Sequence, residues 1–224
     1  MNLEYLPDKT KQLFKTFSVK KFLKDYVLIG GSALSIQISH RLSEDLDFIF
    51  DGEFIDKRKI KRFISLNFKG NFKIIREDEN YQIDFLIAGV KVTFFSTGAI
   101  IVPFKIIEHS TKYKELNIAS IEIIAVLKMA VISQRMTIRD YYDLYYISKH
   151  YMQLKDVFKL TRELLPNLSQ IVYSETIIYV EDIKEDTIDL LLNPKDKITK
   201  FEIADYFINE LKYLKIDFIK NESR

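Results

Sequence analysis

The sequence predicts an α/β (α+β) domain with a mixed sheet and flanking helices, followed by a helical bundle. Three observations point there. Short β-branched and aromatic runs alternate with helical segments up to about residue 105. One pair of runs is joined by a hairpin-like turn. From Ala119 onward the apolar spacing becomes helical.

The strand candidates are Tyr26 to Ile29, Phe48 to Phe50, Phe72 to Ile75, Tyr81 to Leu86 and Val90 to Phe95. Ile87-Ala88-Gly89 separates the last two as a turn, so part of the sheet is expected to be antiparallel. Helices are expected near 120–135, 138–150, 153–165 and 199–214, with Leu165-Pro166-Asn167 and Asn193-Pro194 as turn signals. The expected division is residues 1–118 for the α/β domain and 119–224 for the helical domain.

Composition narrows the chemistry. With 224 residues and 47% hydrophobic content the chain can fill a core of its own. There are no cysteines and only three histidines (His40, His109 and His150), which excludes disulfides, thiolate nucleophiles and cysteine-bound zinc. Any metal is then expected to sit on carboxylates. Residues 1–24 scatter lysines among single apolar residues and form no signal or membrane-spanning run, so a soluble, cytoplasmic protein with no membrane partner is expected. The net charge of +2 is too small to indicate a polyanionic partner. Lys57, Arg58, Lys59, Lys61 and Arg62 form a basic run, but at helical spacing they spread over several faces, as on an ordinary solvated surface.

Two neighbouring segments carry the candidate chemistry. Val27-Leu28-Ile29-Gly30-Gly31-Ser32-Ala33-Leu34 passes from an apolar strand through two glycines into a helix. Glycine lets a ligand approach the backbone, the first helical amides point outward at the positive end of the dipole, and Ser32 adds a hydroxyl. Next comes His40-Arg41-Leu42-Ser43-Glu44-Asp45-Leu46-Asp47-Phe48, in which period-two alternation sets Asp45 and Asp47 on one side and Leu46 and Phe48 toward the core. Such a pair suits a hard cation that shares its coordination with substrate phosphates. Seen alone, an Asp-x-Asp is more often a solvated acidic strand end.

Further along, a 100° projection puts Lys128 and Arg135 in the stripe of Ile121, Ile124 and Val131. A lysine so placed loses hydration unless its stem snorkels or an anion meets it. In the next helix Asp140 projects with Leu144 and Ile147, whereas Asp143 reads as helix-start chemistry. Tyr141, Tyr142, Tyr145 and Tyr146 read as interhelix packing.

Together, Gly30 to Leu34, His40 to Phe48, Lys128 to Arg135 and Arg139-Asp140-Tyr141-Tyr142-Asp143-Leu144 resemble, in order and spacing, the AbiEii/AbiGii-type nucleotidyltransferase toxins of the polymerase-β-like superfamily. The likeness runs over roughly residues 25–150. It implies a nucleotidyltransferase-type mixed sheet joined to a helical domain, and transfer of a nucleoside monophosphate from a nucleoside triphosphate. It implies magnesium or manganese as cofactor, an RNA (such as tRNA) or protein acceptor, and a separate antitoxin. By the same resemblance Asp45 and Asp47 bind metal, Asp45, Asp47, Lys128 and Asp140 form the catalytic set, and Gly30, Gly31, Ser32, His40, Arg41, Lys128 and Arg135 bind nucleotide. Many nucleotidyltransferases carry a third acid on a neighbouring strand; Thr93 stands nearest that position here, and Asp84 on the preceding strand is the substitute metal ligand. A small-molecule acceptor, or a nucleotide-binding module without turnover, stays open.

Overall fold

The computed structural model describes residues 1–99, 102–183 and 193–222, the last eight of these by backbone alone. The chain divides into two compact units, Met1–Ile123 and Ile124–Arg224.

The first unit is built on a seven-stranded mixed sheet in the order β3-β4-β5-β2-β1-β7-β6. Its strands are β1 (Tyr26–Ile29), β2 (Leu46–Phe50), β3 (Phe72–Glu77), β4 (Gln82–Ile87), β5 (Val90–Ser96), β6 (Ser110–Tyr113) and β7 (Leu116–Ala119). Three helices belong to it: α1 (Asp8–Phe17), α2 (Gly30–Ile38) and α3 (Lys57–Phe68). β1 runs antiparallel to β2, and β2 runs parallel to β5. The β4–β5 connection is a two-residue turn with Ala88 at φ 51° and Gly89 at φ 86°. Positive φ at both positions matches the twist of the flanking strands.

Alternation sorts each strand. Leu28, Phe48, Phe85 and Phe94 are fully buried on one face. Phe17 of α1 packs edge-on to Phe48 at 5.5 Å, and Phe48 stacks on Phe94 at 5.3 Å. Phe63 of α3 closes on Phe17 at 6.1 Å, so α1 and α3 cover this apolar face. The opposite face carries Asp47, Thr93 and Asp84, which are consecutive register partners across β2, β5 and β4.

The hairpin β6–β7 was not among the expected strands. Each strand has four residues, and β7 gains its place by pairing with β1, where the Asn117 amide donates to the Lys24 carbonyl at 2.7 Å. Nothing in a four-residue Leu-Asn-Ile-Ala segment announces that non-local partner.

The second unit is helical: α4 (Ile121–Ile132), α5 (Ile138–His150), α6 (Leu154–Leu164), α7 (Gln170–Thr176) and α8 (Lys200–Glu222). Tyr141, Tyr142 and Tyr145 of α5 are buried in it. Their hydroxyls find polar partners: that of Tyr141 lies 2.8 Å from the Thr176 carbonyl, and that of Tyr142 accepts from the Asp196 amide at 3.0 Å. These rings pack the bundle, and buried phenols require such partners.

Candidate functional site

In the first unit the glycine turn and the aspartate pair come together. Ile29, the N-cap of α2, has no side chain that can cap the helix, so its first amides are not satisfied in that way. Gly30 sits at φ +73°, and a Cβ there would lie 3.1 Å from Asp47 Oδ2. Both facts require glycine: the left-handed backbone disfavours any L side chain, and the Asp47 carboxylate occupies the space one would need. At Gly31 a Cβ would meet Arg41 Nη2 at 2.6 Å and Ser43 Oγ at 2.9 Å. The second glycine therefore admits the connection from α2 to β2 rather than an open cleft.

The Ser32 hydroxyl donates to the Asp45 carbonyl and lies 3.1 Å from Ser43 Oγ. It fastens the start of β2 against the start of α2. His40 and Arg41, at 0% and 2% exposure, stand inside the fold, with Arg41 Nη1 donating to the Leu42 carbonyl at 3.0 Å. Asp45 and Asp47 by contrast are half-exposed.

Ile29 pairs with Asp47, Asp47 with Thr93, Thr93 with Asp84, and Asp84 with Arg76, forming one transverse row. Thr93 thus separates the two acids. At about 4.8 Å per strand, Asp84 is about 10 Å from Asp47 along the sheet. Asp84 is buried, accepts from Gln82 Nε2 at 2.7 Å and faces Lys91 Nζ at 3.7 Å. Among the described residues no group of three or more His, Cys, Asp or Glu side chains is arranged to hold a metal. The two half-exposed carboxylates fit a hard cation whose other ligands are water and substrate oxygens, and do not fit a complete protein cage.

In the second unit Lys128, in the apolar stripe of α4, meets its anions inside the protein. Its Nζ lies 2.6 Å from Asp140 Oδ1 and 2.6 Å from Asp143 Oδ2, and all three side chains are buried. Arg135 Nε reaches the other Asp140 oxygen at 3.1 Å, and the hydroxyl of Thr137, the N-cap of α5, donates to that oxygen at 2.7 Å. Burial pushes the Asp140 carboxyl up, but the Lys128 ammonium, the Arg135 guanidinium and the bonds from Lys128 and Thr137 outweigh it and hold it below the usual carboxylate range.

Asp143 lies beyond the first turn of α5, so helix-start chemistry does not account for it; it is the second counter-charge of Lys128. The signal was present in the spacing. Residues three apart share a helix face, so the inward projection of Asp140 extends to Asp143. The basic run of α3 is largely engaged with acids: Lys59 with Asp56 at 3.2 Å, Lys61 with Glu77 at 2.8 Å and Lys57 with Glu77 at 3.6 Å.

Comparison with known proteins shows the family. Residues 12–205 match the profile of the family described as nucleotidyl transferase AbiEii toxin, Type IV TA system. The uncharacterized protein aq_aa25 of Aquifex aeolicus is 31% identical over 196 residues, covering 83% of this chain and 89% of that one. Among solved structures, the fold is similar to MenT4, a nucleotidyltransferase toxin of Mycobacterium tuberculosis (TM-score 0.55, 14% identity, 91% of this chain and 84% of that one). JHP933 of Helicobacter pylori aligns over 97% of this chain and 99% of its own, at 18% identity and TM-score 0.48. The chain belongs to the AbiEii nucleotidyl transferase toxin family and is a nucleotidyltransferase.

Proposed function

We propose that the protein transfers a nucleoside monophosphate from a nucleoside triphosphate to an acceptor, RNA or protein, in a reaction dependent on magnesium or manganese, and that this arrests growth unless an antitoxin opposes it. The observation that carries the reading is the Asp45/Asp47 pair, half-exposed, with Asp47 lying against Gly30 at the start of α2. Carboxylates and helical amides are then adjacent, the combination that holds a metal–triphosphate.

In this reading Asp45 and Asp47 hold the metal, whose chemistry is to stabilise charge on the attacking and leaving oxygens. Gly30, Gly31 and Ser32 offer backbone amides to the phosphates, while the Ser32 hydroxyl, His40 and Arg41 brace the turn that presents them. Lys128 and Arg135, of the second unit, form an ion cluster with Asp140 and Asp143 that ties α4 to α5. Asp140 and Asp143 hold the Lys128 ammonium; a carboxylate kept below the usual range is a weak base, so positioning suits Asp140 better than proton abstraction. Asp84, already facing Lys91, is at most an outer metal ligand.

Incubation with each labelled nucleoside triphosphate, magnesium and total RNA tests this, with Asp47→Asn and Lys128→Met in parallel. Label should enter an acceptor with the wild type and with neither variant; transfer by Asp47→Asn at the wild-type rate removes the assignment. A second reading draws on Thr93, an uncharged residue between the two acids: a module that binds nucleotide without turnover. It expects magnesium-dependent nucleotide binding in calorimetry and no pyrophosphate release. A small-molecule acceptor would appear as pyrophosphate release without labelled macromolecule.

A further inference from the structure

We propose that the polar face of the sheet, outward from Asp47 across β5, β4 and β3, is a docking track for single-stranded polynucleotide. The proposal rests on the catalytic reading above only for where the strand is delivered. Five register pairs carry it. The row Asp47–Thr93–Asp84–Arg76 ends in a cation on the edge strand, and the neighbouring row Lys91–Leu86–Lys73 has a cation at either end. Residues in one row share a face, and the Lys91–Asp84 ion pair shows these two rows on the same side. Glu77, of the other parity, reaches Lys57 and Lys61 of α3 on the opposite face.

Arg76 and Lys73 are exposed, and neither forms an ion pair among the described residues. That distinguishes them from the α3 run, the basic cluster evident in the sequence, three of whose members are engaged with acids. The third row, Ile49–Phe95–Gln82, places a half-buried phenylalanine on the same face. Exposed cations beside a half-buried aromatic suit a single strand, whose phosphates seek charge and whose unstacked bases seek a ring, while the buried Thr93 and Asp84 take no part in the contact. From Asp47 to Arg76 is three strand spacings, about 14 Å, so a strand held there leads directly to the carboxylate pair.

The test is fluorescence anisotropy of a labelled single-stranded RNA, without nucleotide, at several salt concentrations. Lys73→Ala/Arg76→Ala/Lys91→Ala should weaken binding by about tenfold or more and lower the salt slope by about 2, at unchanged circular dichroism. Arg58→Ala/Arg62→Ala on α3 should leave both nearly unchanged. Equal loss in the α3 variant would show a diffuse field and overturn the track, and so would wild-type affinity in the triple variant. A triple variant that aggregates yet binds RNA normally would assign the charges to protection of the β3 edge, again overturning it. Preference for duplex over single strand would do the same. Binding is read apart from catalysis: RNA held on this face by a wild type that transfers no label sinks the catalytic reading alone.

Discussion

Lys128→Met removes the ammonium that two buried carboxylates share while keeping most of its apolar stem. The wild-type cluster pairs Lys128 and Arg135 with Asp140 and Asp143, two cations with two anions. Without Lys128 it holds one uncompensated buried charge, a loss of about 3–5 kcal/mol. Arg135 cannot compensate, because its side chain is 65% exposed and its ion pair is largely screened, contributing about 0–1 kcal/mol. At an m-value of about 2 kcal/mol/M the urea midpoint falls by about 1.5–2.5 M. The chain has no tryptophan, and nine of its thirteen tyrosines lie in the second unit, so tyrosine fluorescence reports mainly the unit that contains buried Tyr141, Tyr142 and Tyr145. Asp143→Asn alone leaves a surplus cation and should lose about 1–3 kcal/mol. The double variant restores neutrality and should be more stable than the sum of the singles by about 1–3 kcal/mol. A Lys128→Met loss below about 1 kcal/mol, or additivity within about 0.5 kcal/mol, would refute the charge-compensation argument.

Gly30→Ala forces a side chain onto a φ of +73° and against Asp47 Oδ2; transfer should fall at least tenfold and stability by about 1–2 kcal/mol, both measurable on one preparation. Asp47→Asn should abolish transfer while the unfolding midpoint shifts by no more than about 0.5 kcal/mol, because the residue is half-exposed. Asp140 titrates below its ordinary 3.8 in the folded state, so between the two values the unfolded chain binds more protons and stability rises with pH. Its contribution is complete above about pH 5 and is lost as pH falls through the folded value; in acid titrations followed by circular dichroism, Asp140→Asn should flatten that limb by up to about 1.4 kcal/mol per pH unit.

Where patterns were local, the sequence was a good guide. Alternation in Leu46-Asp47-Phe48 set the acids on one face and the core on the other, the Ala88-Gly89 turn formed the hairpin, and helical spacing marked α4, α5 and α6. The glycine turn was legible as a place of close approach, but not what approaches: Gly31 admits Arg41, a residue ten positions away that only the fold brings back. For Lys128 the argument from lost hydration left a snorkelling stem or an anion, and the structure supplies two anions from the same unit. Asp143 was misread because an acid near a helix start has a sufficient local explanation, which hid the non-local one. The row from Asp47 to Arg76 was beyond reach, since cross-strand register follows from pairings that no single segment encodes.

The two acidic pairs differ in a way that bears on the metal. Asp140 and Asp143 are buried and matched by Lys128 and Arg135, so a further cation there would have to displace a neutralised arrangement. Asp45 and Asp47 keep access to solvent at the start of a helix that has no side-chain cap. Two carboxylates and water make a weak site for magnesium, and Thr93 in the middle of the row adds no charge. Phosphate oxygens seated on the α2 amides would complete the coordination that the strands leave open. In the proposed reaction, metal and triphosphate therefore bind as a unit, each raising the affinity of the other, because neither finds a full set of partners alone.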